Sequence, residues 1–81
     1  MKTIKAGSSL ATGLAMTDLT LGDLWLRYFA LGGSRPRRAL EAYVHDDASW
    51  SAHEHDVAAQ ALNEYFMDQG LDHPVAYAED V

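Results

Sequence analysis

Four histidines, His45, His53, His55 and His73, are the side chains best suited to holding a metal ion or moving a proton. Their spacing works against both. His53 and His55 stand two apart, so about 200° separates them on a helix and one ion cannot take both from the same helix. The chain has no H-x-x-x-H or E-x-x-H pair. With no cysteine it has no thiolate ligand, thiol nucleophile or disulfide. The carboxylates Glu54, Asp56, Glu64 and Asp68 fall on a stretch that reads as a helix with a solvated outer face. Ser51 near His53 is explained by capping rather than by a nucleophile and its base. No glycine-rich loop follows a strand, because no strand is expected. The expectation is a protein that is not an enzyme and carries no metal and no cofactor.

The basic residues make a stronger pattern. Arg35, Pro36, Arg37 and Arg38 open a segment that follows a glycine-containing turn, so helix, turn and helix occur in the order of a DNA-binding helix-turn-helix. Three guanidinium groups at the start of the second helix stand where bases and phosphates are met. The whole-chain charge of −6 works against nucleic acid. Up to Arg38 there are six basic and two acidic residues; from Ala39 onward there are ten acidic residues and no Lys or Arg. The alternative is that the arginines pair with the chain's own acidic half or with an acidic partner. The closing Glu79-Asp80-Val81 reads as a frayed acidic end that could also add to the sheet edge of a peptide-binding domain.

The elements that position these groups begin with Thr20 to Gly33, TLGDLWLRYFALGG, the most apolar stretch of the 81 residues. At about 100° per residue, Leu31, Leu24, Tyr28, Leu21, Trp25, Phe29 and Leu26 span an apolar arc of roughly 220°, about twice what a surface helix needs. Thr20 reads as its N-cap with Asp23 in a capping-box position, and Gly32 and Gly33 supply a positive φ at its end. Asp23 and Arg27 form an i,i+4 pair on the polar side. Two readings of so wide an arc stay open. Either the helix is sandwiched in the core, or the side around Leu26, Phe29 and Leu31 meets a second chain or a partner.

Ser34 is the expected N-cap of a second helix with Pro36 in its first turn, directing Ala39, Leu40, Tyr43 and Val44 inward. Residues 46–50 read as a loop anchored by Trp50. Ser51-Ala52-His53-Glu54 is a capping box that starts a third helix. Its inward arc is Val57, Ala58, Ala61, Leu62, Tyr65 and Phe66, and Gly70 ends it, with Leu71 folding back onto Phe66 or Met67. Pro74 stops any continuation, so Val75 and Tyr77 are expected to drape over the bundle.

The fold class predicted is all-α: a compact three-helix bundle, about 20–32, 35–46 and 52–69. A flexible leader, 1–17, is expected before a domain of 18–78, with an extended tail and a frayed end at 79–81. The leader carries two lysines, but Gly7, Ser8, Ser9, Thr12 and Gly13 interrupt any signal-like apolar run. No run approaches the length of a membrane span, so a cytoplasmic protein is expected. Arginine in place of lysine after Lys5, with abundant Ala and Asp, suits a high-GC bacterial genome. The function expected is a small non-catalytic regulatory or adaptor protein. It would act through protein–protein contact at Leu26, Phe29 and Leu31, with homodimerisation the simplest form. The rival is a helix-turn-helix DNA-binding protein using Arg35, Arg37 and Arg38.

Overall fold

In the computed structural model, which describes residues 3–70 and 75, the elements run β1 (Thr3–Ile4), α1 (Gly7–Ala15), α2 (Leu21–Ala30), α3 (Arg37–Val44), β2 (Trp50–Ser51) and α4 (Ala52–Asp68). The fold is a four-helix bundle, and the three-helix expectation is corrected. The fourth helix, α1, lies in the stretch expected to be a flexible leader. It packs on α3 and α4, while α2 packs on α4 and α3.

The reason α1 forms is tertiary. Gly7–Ala15 is GSSLATGLA, poor in helix formers and lacking a side-chain cap, so propensity alone would leave it open. Its glycines permit close approach. A Cβ at Gly7 would run into the Tyr43 carbonyl, and one at Gly13 would lie 2.7 Å from Val75 Cγ2 and 2.9 Å from Leu62 Cδ2. With the backbone that near, Leu10 reaches full burial. Thr17 then ends the turn by donating to Leu14 O (2.7 Å) and accepting from the Leu19 N–H (3.1 Å).

The centre of the bundle is α4, not α2. Ser51 caps it by accepting from the Glu54 N–H (3.2 Å). The expected inward residues Val57, Ala58, Ala61, Leu62 and Phe66 are buried, and so are His55, Ala59 and Asn63. Burial on so many sides follows from the extra helix. Asn63 is spent on the chain beyond α4: its Nδ2 donates to Val75 O and its Oδ1 accepts from the Val75 N–H, both at 3.0 Å. Val75 is buried, as expected of a segment draped on the bundle; Leu71, Tyr77, His73 and 79–81 lie outside the described residues.

A second correction concerns strand. Trp50 and Ser51 pair antiparallel with Ile4 and Thr3, a minimal ladder that ties the start of the chain to the start of α4. It forms where Trp50 is pulled into the core, stacked on Tyr43 at 4.6 Å and 4° between planes. Gly70 ends α4 with φ +76 and Gly32 follows α2 with φ +99, so both helices stop where the sequence marks them.

Candidate functional site

The capping box on α2 closes as expected. Thr20 accepts from the Asp23 N–H (3.1 Å), and Asp23 accepts from the Thr20 N–H (3.0 Å). The bond from the Thr20 N–H, and after it the Thr20 side chain, hold the Asp23 carboxyl below its ordinary range. The helix so fixed turns Leu24 and Tyr28 into the core and half-buries Leu21 and Trp25. The remainder of the arc faces out: Leu26 is 60% exposed, Phe29 58% and Leu31 39%. Four helices therefore leave one side of α2 uncovered.

Trp25 gives that side its shape. Its ring stacks on Phe29 at 5.1 Å, and its Nε1 donates to Arg35 O (2.9 Å), pinning the turn after α2 beside the helix. Two grooves meet at Leu26. One, of about 580 Å³, runs between Trp25, Leu26, Pro36 and Arg37; the other runs along Leu19, Leu26, Arg27 and Ala30.

Arg35, Arg37 and Arg38 are all exposed. Arg35 lies 6.0 Å over the Trp50 ring and Arg27 5.3 Å over the Tyr65 ring, both within cation–π range. Arg27 also lies close enough to Asp23 for its charge to help hold that carboxyl down. The α3 helix that Arg37 and Arg38 open has eight residues and a Pro36 N-cap without a side-chain bond. Ser34, expected as that cap, is drawn away: its Oγ donates to Glu54 Oε2 (2.8 Å).

Glu54 anchors a cluster the sequence does not announce. Its Oε1 accepts from Tyr28 Oη and from the Ser34 N–H (3.3 Å), while Tyr28 Oη accepts from the Arg35 N–H (2.9 Å). Burial, and then the bond to Glu54, push the Tyr28 phenol up to about 12. Burial also pushes the Glu54 carboxyl up, but the bonds from Tyr28 and Ser34 outweigh it and the net direction is down. Deeper in, Tyr43 Oη lies 2.8 Å from His55 Nδ1 and accepts from the Ala6 N–H (3.3 Å), and burial raises its phenol too. Trp50 sits between the two tyrosines with Nε1 buried and lacking a hydrogen-bond partner among the described residues. The only sequence signal for this cluster was Glu54 three residues after Ser51, which reads as a capping box; the carboxylate instead reaches across to α2 and the turn after it.

These polar groups bond one another, and among the described residues no three His, Cys, Asp or Glu side chains gather to hold a metal ion. His45 and His53 are exposed and His55 is buried against Tyr43. Among the described residues no helix is long and apolar enough to cross a membrane. Comparison with protein-family models, curated proteins and solved structures finds no match for the chain.

Proposed function

We propose that the chain is a small non-catalytic docking module, a regulatory or adaptor protein that binds a protein partner through Leu26, Phe29 and Leu31. The observation that carries this reading is the exposure of Leu26 and Phe29 on a helix that is capped and fully packed on its other face. Flexible surface apolar residues are common, but here an aromatic ring is held in place by Trp25, and Trp25 by Arg35 O. Rigid apolar side chains beside grooves are the anchors that dominate protein interfaces.

Replacing Phe29 with a photoreactive phenylalanine analogue tests this in cells of the source organism. A crosslink to a protein is expected at position 29, absent when the analogue replaces the exposed Gln60 of α4, and lost when Leu26→Glu is added. No crosslink at position 29, or the same products at both positions, would overturn the reading.

The DNA-binding reading has one observation in its favour, the exposure of Arg35, Arg37 and Arg38 at and before the start of α3. Against it, α3 buries Leu40, Tyr43 and Val44, and the exposed residues that follow its two arginines are Glu41 and His45. A recognition helix would present an acid to the phosphates one turn in. Titration with mixed-sequence duplex at low salt, with Arg37→Glu/Arg38→Glu as control, separates the two readings.

A further inference from the structure

The uncovered face of α2 has a charge as well as a shape. From Leu21 to Leu40 the sequence carries four arginines, Arg27, Arg35, Arg37 and Arg38, and one acid, Asp23. The Asp23 carboxylate already accepts from the Thr20 N–H at the positive end of its own helix. Arg27 adds its charge to what holds that carboxylate, and Arg35, Arg37 and Arg38 are exposed. Two of them rim the grooves that meet at Leu26: Arg37 stands by Trp25 and Pro36, and Arg27 by Leu19 and Ala30. An apolar ridge thus has a guanidinium on each side, and the one carboxylate lining both grooves, Asp23, already accepts from the Thr20 N–H.

We infer, on the footing of the docking reading, that the partner presents an acidic amphipathic helix. Its apolar residues seat in the grooves on either side of Leu26, and its flanking carboxylates pair with Arg27 and Arg37. Apolar contact supplies the buried area, and the planar guanidinium matches a carboxylate through two parallel hydrogen bonds. Charge also selects against two other occupants. A second copy docked about a two-fold axis would bring Arg27 and Arg37 against the same basic rim of its partner. A nucleic acid would leave Leu26 and Phe29 against its phosphates, with nothing gained from either.

The test is selection from a displayed library of amphipathic helices. Their apolar positions are held as Leu, Ile or Phe, and the remaining positions vary over Asp, Glu, Lys, Arg, Ser and Gln. Acidic sequences are expected to be enriched. Affinity for the selected peptide should fall about ten-fold or more in Leu26→Glu and in Arg37→Glu, and should weaken with salt. Both variants alter exposed side chains, and matching unfolding curves establish that they fold. Enrichment without charge bias, still lost in Leu26→Glu, would leave the docking reading standing and overturn the acidic partner. Enrichment of basic peptides, or sedimentation showing a native dimer that Leu26→Glu makes monomeric, would also overturn it. Duplex DNA binding lost in Arg37→Glu but kept in Leu26→Glu would overturn both.

Discussion

The hydroxyl of Tyr28, on α2, donates to Glu54, on α4, and the same oxygen accepts from the backbone N–H of Arg35. One phenol therefore fixes the inward face of α2, the first turn of α4 and the turn that carries the arginines. It also sets the floor beneath that turn: a Cβ on Gly33 would enter the Tyr28 ring, so the backbone must lie flat on it. Tyr28→Phe removes the bond and leaves the Arg35 N–H without its acceptor. A loss of about 1–3 kcal/mol is expected, read as a fall in Tm of about 4–8 °C per kcal/mol for a domain of this size. A smaller loss than the exposed control Leu26→Ser would show the bond to be unimportant.

The same phenol makes stability depend on alkaline pH. Its folded value, about 12, lies above the ordinary 10.0, so the folded state holds the proton more tightly than the unfolded chain. The contribution is whole below pH about 10 and is lost as pH rises toward about 12. Tyr43, raised by burial, acts in the same direction. Denaturant unfolding across that window should show stability falling, with a shallower fall in Tyr28→Phe. Glu54 works at the other end: its folded value is lowered, so its contribution is present above the ordinary carboxylate value and lost as pH falls through the folded one.

Helix α1 belongs to the core and should behave so. Leu10→Ala is expected to cost about 2–5 kcal/mol, as for other fully buried leucines. Gly7→Ala, which drives a methyl into the Tyr43 carbonyl, should cost at least as much as ordinary overpacking, about 1–3 kcal/mol. Hydrogen exchange of residues 7–15 should be slowed with the rest of the bundle. Fast exchange there, with both variants neutral, would return the segment to a mobile leader.

Two neighbours on α2 should part company. Leu24 is fully buried and Leu26 is 60% exposed, so Leu24→Ala is expected to cost about 2–5 kcal/mol and Leu26→Ser no more than about 0.5 kcal/mol. Denaturant midpoints for the pair measure how much of the apolar arc the fold itself uses.

The parts legible in the sequence were those written in local patterns. Thr20 with Asp23 and Ser51 with Glu54 marked two helix starts, and Gly32 and Gly70 marked two ends. Leu40, Tyr43 and Val44 gave the inward side of α3, and Trp50 was rightly read as an anchor. What was hidden depends on contacts between distant residues. Gly7 and Gly13 look like helix breakers until Tyr43, Leu62 and Val75 are seen pressed against them. Asn63 looks like a solvated polar residue until residue 75 arrives to take its amide. Ser34 looks like a cap until Glu54 draws its hydroxyl away. The outer side of α2 was half legible: the width of the arc raised the question of what covers it, but which side packs inward needed the positions of α3 and α4.

Gly13 has a consequence beyond the space it makes. Leu62 of α4 and Val75 both rest against it, and Asn63, next to Leu62, grips Val75 through both its N–H and its C=O. Three segments far apart along the chain thus share one point of contact. Energetic additivity must fail there: once one partner is loosened, the others have already lost most of what that contact gave them, and further damage adds little. The helix that looked dispensable and the residue well past the end of α4 are therefore expected to loosen together rather than one piece at a time.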